Sequence, residues 1–175
     1  MRRPLLDSLF IKRFCLPFDC DLATYEIGEI KINKCMCSTH NHVSVFYKGN
    51  GPLDNANVLS IGINSIGDNI GKIPGIHAEL DGFNKLKPLL NRKKRLQNIN
   101  MLVIRLSKNN KLQHSKPCAN CITKLQTLPE QKGYKIKNIY YSNDDEELVK
   151  SNLSHLEKDD LHHTNFYRNQ KMNNR

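Results

Sequence analysis

The chain has 175 residues, 38% of them apolar, a formal net charge of +10 and a mean hydropathy of −0.58. Such a length suits one compact domain with a real core and ragged ends, and no stretch offers the ~20 consecutive apolar residues of a membrane span. The excess of Lys and Arg favours solubility and an anionic partner or phosphorylated substrate, although a solvated lysine surface leaves the same signature.

Residues 1–40 read as an N-terminal extension. Met1–Phe10 has too short an apolar run for a signal peptide and is broken by Asp7; its arginines leave a mitochondrial presequence as the alternative. Six cysteines without a signal peptide point to a reducing compartment, cytoplasmic or nuclear, rather than to a disulfide scaffold. Leu22, Tyr25, Glu29 and Ile32 recur at helical spacing, so a helix is expected over Asp21–Ile32, with a strand through Ile30 and Ile32 as the alternative. Cys35, Cys37, His40 and His42 gather soft ligands at a spacing that matches no common zinc motif. They are expected to be reduced thiols and ordinary histidines.

Residues 41–153 read as the main domain. His42–Lys48 and Val58–Asn64 are strands joined by a Gly/Pro/Asn-rich segment, which predicts a hairpin. A loop through Gly67, Asp68, Gly71 and Pro74 leads to His77. Ile76, Leu80, Phe83, Leu86 and Leu90 then give a helical face that Pro88 should end. The basic run Arg92–Arg95 suits a solvated helix end, or more sharply a nucleic-acid patch. Asn98–Leu106 is apolar on both faces, as a central strand is, and the helix before it implies a parallel crossover. A helix from Pro117 to about Leu128, a strand over Tyr134–Ser142 and an extended segment over Glu147–Leu153 complete the domain. The last connection is too short for a crossover, so those two strands should form an antiparallel hairpin. Residues 154–175 read as a polar tail.

Two half-motifs stand out: His77-Ala78-Glu79 and Pro117-Cys118-Ala119-Asn120-Cys121. One imidazole and two thiolates supply three zinc ligands and leave a fourth position for water, the pattern of a catalytic rather than a structural zinc. Two thiolates also balance the charge of a divalent ion. His77 and Glu79 are two apart and cannot share a helix face, so His77 should sit on the turn entering the helix. Cys118 and Cys121 share a face at a helix N-terminus, where the dipole favours thiolate. A redox Cys-x-x-Cys is the competing reading, but it leaves His77 and Glu79 unexplained.

The paired motifs H-x-E and P-C-x-x-C, with a strand between them, resemble the cytidine deaminase-like superfamily of zinc-dependent nucleobase deaminases. The resemblance covers about residues 42–153. It implies a three-layer α/β/α sandwich around a five-stranded mixed sheet, here with a C-terminal antiparallel hairpin. It implies zinc as the cofactor, His77, Cys118 and Cys121 as its ligands, and Glu79 as the proton-transferring group. Asn64, at the end of the second strand, matches a substrate-binding Asn, and the Ala78 amide matches a contact to the base carbonyl. The terminal hairpin and H-A-E resemble the free cytidine and blasticidin-type deaminases, whereas the tRNA adenosine, dCMP and polynucleotide cytidine deaminases have parallel final strands. Ile122 and Thr123 depart from the Arg-Gln usual in free cytidine deaminases. The resemblance thus implies a hydrolytic deaminase of a cytosine- or adenine-type base in a free nucleoside or nucleotide. The alternatives are a base editor of RNA or DNA, bound through the basic surface, and an inactive zinc-stabilised binding module. No membrane partner is expected, and a homo-oligomer stays open.

Overall fold

The computed structural model describes residues 11–15, 22–27, 30–35, 41–50, 53–65, 75–90, 95–107 and 111–158. Near the N-terminus, β1 (Ile11–Cys15), β2 (Leu22–Ile27) and β3 (Ile30–Cys35) form an antiparallel sheet in that order. The helix expected over Asp21–Ile32 is therefore corrected to two strands, with Ile27 opposite Ile30. Gly28 costs a helix interior about 1 kcal/mol, while Thr24, Tyr25, Ile27, Ile30 and Ile32 are residues that favour strands. Cys37, His40, the expected loop at 66–74, Arg92–Lys94 and the tail beyond 158 lie outside the described residues.

The main sheet has six strands: β4 (Asn41–Tyr47), β5 (Val58–Ile63), β6 (Gln97–Leu106), β7 (Leu112–Gln113), β8 (Tyr134–Ser142) and β9 (Leu148–Ser151). Their order is β5-β4-β6-β8-β9, with the short β7, absent from the sequence reading, paired to β6. Only β6 and β8 are parallel neighbours; the other pairs are antiparallel. The expected β4–β5 hairpin is present. The helical crossover from β5 to β6 is present too, but it passes over β4, so the strands it joins run parallel without touching. The terminal β8–β9 hairpin closes through Asn143, whose Oδ1 accepts the Asp145 and Glu147 amides at 3.1 and 2.8 Å.

Three helices are described: α1 (Ala78–Lys85), α2 (Ala119–Gln131) and α3 (Leu153–Lys158). All three bury side chains against one sheet face, where Phe83, Leu86, Ile122, Leu125 and Leu156 meet Phe46, Ile99, Met101, Val103 and Ile139. The alternate residues Leu102, Ile104 and Leu106 join Val43, Val45 and Tyr47 in a second cluster on the other face. Each fully buried Leu or Ile contributes about 1.5–3 kcal/mol, so β6, inward on both faces, holds the domain together. Among the described residues no helix covers the second cluster. The architecture is thus a mixed α/β fold with an open, mostly antiparallel sheet.

Ile76 is 47% and Leu90 100% exposed, so the apolar face of α1 is shorter than its spacing suggested. Leu86 leaves helical geometry with ψ 125, two residues before Pro88, which disfavours helix in its predecessor. The Lys132 ammonium then donates to the carbonyls of Phe83, Asn84 and Leu86 at 2.8–2.9 Å and covers the Phe83 ring. At the other end of the chain, α3 extends the ordered domain past Leu153, with Leu156 fully buried where a polar tail was expected.

Candidate metal centre

The centre is built on two helix starts fixed separately to the sheet. α1 lies so close to β5 that a Cβ on Gly62 would collide with the Ala78 carbonyl and the Gly82 backbone. A Cβ on Gly82 would in turn reach Ser44 and the Phe46 ring. Two buried hydroxyls use this closeness: Ser44 Oγ donates to Ala78 O at 2.7 Å and Ser60 Oγ to Gly82 O at 2.8 Å. The Asp81 carboxylate accepts the Ile63 amide at 2.8 Å and pairs with Lys85 at 2.7 Å, tying the end of β5 to the first turns of α1. The sequence reading missed all of these residues; a glycine inside the helical pattern was the only available signal.

His77 is the N-cap of α1, extended at φ −71 and ψ 148, on the entering turn as the spacing required. Cys118 occupies the same place on α2, with φ −74 and ψ 163, and Cys121 follows one turn inside. His77 Nδ1 lies 3.2 Å from Cys121 Sγ and 3.4 Å from Cys118 Sγ, and the three ligand atoms all fall within 4.8 Å of one another. A tetrahedral zinc with its usual bond lengths would set each nitrogen–sulfur separation at about 3.6 Å. The donor set and its spacing therefore fit such an ion with a small expansion. Among the described residues this is the only His/Cys/Asp/Glu group placed to hold a metal.

The electrostatics suit the same use. The hydrogen bond from Cys121, together with that from His77, holds the Cys118 thiol down at about 4 against the effect of burial. Cys121 is pushed up, first by its hydrogen bond to Cys118 and then by burial. A cation bound between the two sulfurs would displace their protons. The hydrogen bond with Cys118 raises His77 above its ordinary value, opposed by burial and by the Lys124 charge. Glu79, 4% exposed, has its carboxyl raised by burial, with its own backbone amide and His77 pulling the other way. Cys121 acts in the same direction as these two.

Asn64 directly follows β5. Its amide donates to His42 O at 3.2 Å and its Oδ1 accepts the His42 amide at 3.0 Å, so it continues the β4–β5 ladder by one residue. Ser65 then exchanges bonds with Ile76: its amide donates to Ile76 O at 2.9 Å and its Oγ accepts the Ile76 amide at 3.1 Å. This pair closes the 66–74 segment at its base and holds Asn64 one step from the turn that presents His77. Ala78 is the first residue of α1, and its carbonyl is the one Ser44 holds. The amide of a first helical residue has no partner within its own helix.

Compared with protein-family models, curated proteins and solved structures, the chain matches none of them. The fold and the site together define a mixed α/β protein with a His-Cys-Cys cluster able to hold a metal ion. No helix among the described residues is long and apolar enough to cross a membrane.

Proposed function

We propose that the chain is a zinc-dependent hydrolytic deaminase acting on a cytosine- or adenine-type base in a free nucleoside or nucleotide. The observation that carries this reading is the convergence of His77, Cys118 and Cys121 from two helix starts, with the buried Glu79 two residues after His77 and its carboxyl under the influence of the His77 and Cys118 charges. Zinc held by these three residues would supply Lewis-acid activation of a water molecule. Glu79, raised by its burial, suits proton transfer in both directions. It takes one proton from the attacking water and passes it to the ring nitrogen as the C–O bond forms. It then takes the second proton from the hydroxyl of that adduct and gives it to the amino group, which leaves as ammonia as the C–N bond breaks and the carbonyl forms. The Ala78 amide and the Asn64 side chain are the proposed contacts to base carbonyl and sugar hydroxyl. The antiparallel β8–β9 hairpin supports the free-nucleoside group over the polynucleotide group by the resemblance described above.

Ammonia release from a panel of nucleosides, nucleotides and oligonucleotides tests the reading. Turnover should appear in the zinc-loaded chain and vanish in Glu79→Gln, which should keep its metal. A Glu79→Gln variant that loses zinc contradicts the role given to Glu79. The net charge of +10 and the exposed Arg95 favour, as a second reading, action on a polynucleotide. Salt-dependent retention on single-stranded DNA or RNA separates the two.

A further inference from the structure

The segment from Gln113 to Cys118 has little regular structure of its own: β7 ends at Gln113 and α2 begins only at Ala119. Cys118 is the N-cap of α2, and its side chain makes no capping bond to the helix. A pair of buried serines ties this segment to the sheet. Ser115 and Ser142 are 2% and 0% exposed. The Ser115 amide donates to Ser142 O at 2.9 Å, and the Ser142 amide returns a bond to Ser115 Oγ at 2.8 Å. Ser115 Oγ donates to Val103 O on β6 at 2.8 Å. Ser142 Oγ contacts both the Gln113 carbonyl and Ser115 Oγ, the latter at 2.8 Å. A hydroxyl has one proton to give. With the Ser115 proton spent on Val103, the Ser142 proton is shared between Gln113 O and Ser115 Oγ, in a three-centre arrangement.

We propose that Ser115 and Ser142 are positioning residues of the metal centre: a hydroxyl clamp that fixes the Cys118 end of the ligand set to the two central parallel strands. The inference rests on the metal-centre reading above. β6 and β8 are the only parallel neighbours in the sheet, and the clamp spans them at their carboxyl ends, three residues ahead of Cys118. His77 is fixed independently through Gly62, Ser44 and Asp81. The geometry between imidazole and thiolates is therefore set by two separate anchors on one sheet. Loosening either leaves the ligands intact but no longer pre-assembled. Groups that orient metal ligands in this indirect way typically control affinity by about 10–100-fold.

The test uses the full chain, wild type against Ser142→Ala, Ser115→Ala and the double variant. Zinc affinity is read by chelator competition, and ligand geometry by the visible spectrum of the cobalt-substituted protein. Metal-free circular dichroism identifies the temperature range in which each variant is folded. Each single variant should bind zinc about tenfold or more weakly and shift the cobalt spectrum while folded. The double variant should be no worse than the weaker single one, because the two hydroxyls act as one unit. Wild-type affinity and an unchanged cobalt spectrum in a folded Ser142→Ala or Ser115→Ala would overturn the proposal. If Ser142→Ala does not fold, Ser115→Ala alone decides by the same readings. Ser115→Thr, which keeps the hydroxyl, should restore affinity; failure of that rescue also counts against the clamp. A wild-type chain that takes up neither zinc nor cobalt would instead refute the metal centre itself, a separate outcome.

Discussion

Replacing Gly62 with Ala puts the packing of α1 to a quantitative test. The added Cβ would lie 2.6 Å from Gly82 Cα, besides its closer collisions with the Ala78 carbonyl and the Gly82 amide. Carbon atoms in contact sit at about 3.5–4.0 Å, so α1 must withdraw by about 1 Å. Both α1 and the edge strand β5 are held by backbone and cannot yield as a flexible side chain would. Overpacking of this kind costs about 1–3 kcal/mol. The withdrawal also stretches the Ser44–Ala78 and Ser60–Gly82 bonds, now 2.7 and 2.8 Å, at about 1 kcal/mol each. Together these predict a loss of about 3–5 kcal/mol, or about 10 °C in Tm for a chain of this size. Metal ligands tolerate errors of about 0.2 Å, so His77, carried on the same helix start, should lose zinc affinity as well. Thermal melts with and without zinc measure both effects. Gly49→Ala is the matched control: nothing lies within 4 Å of its added Cβ, leaving only the strain of its positive φ. A Gly62→Ala chain with wild-type Tm and zinc affinity would refute the reasoning that the close approach sets the metal geometry.

Three further outcomes are expected. Cys121→Ser should remove stoichiometric zinc and abolish the zinc-dependent rise in Tm, which in wild type should correspond to a stabilisation of about 4 kcal/mol at a thousandfold excess over Kd. Lys132→Met should lower Tm by the equivalent of about 1–2 kcal/mol, because three carbonyls at the end of α1 and just beyond it lose an ammonium partner that is only partly exposed; an unchanged melt would discount that cap. Tyr134 donates its hydroxyl to Lys87 O at 2.8 Å, and burial raises it above its ordinary value of 10.0. A raised folded value means the bond's stability is present below pH 10 and lost as pH climbs through the folded value. Tyr134→Phe should therefore be about 1 kcal/mol less stable at pH 7, with the gap closing at strongly alkaline pH; a gap that widens there has the sign wrong.

The His-Cys-Cys cluster was legible because each half-motif is local, although its two halves, 41 and 44 residues apart, were joined by a resemblance and not by spacing. Two apart meant that His77 had to precede its helix, three apart meant that Cys118 and Cys121 had to share one turn, and the structure places all three so. The β8–β9 hairpin was legible from length alone, since five residues cannot carry a crossover. Over Leu22–Ile32 the apolar residues satisfied two periods at once, and Gly28 with the β-branched residues decided for strands. The anchors were not legible because their partners are distant in the chain. Ser44 meets Ala78 across 34 residues, Ser115 meets Ser142 across 27, and Lys132 closes α1 from 46 residues downstream of Leu86. No window of sequence contains such a pair. The short β7 was missed for the same reason: Leu112 and Gln113 become a strand only by lying against Leu106 and Arg105.

The measurement that bears most directly on the central claim is the metal content of the purified full-length chain, set beside that of Cys118→Ser. The account predicts about one zinc per wild-type chain and almost none in the variant. Folded wild-type protein that carries no metal and takes up none from excess zinc would contradict it.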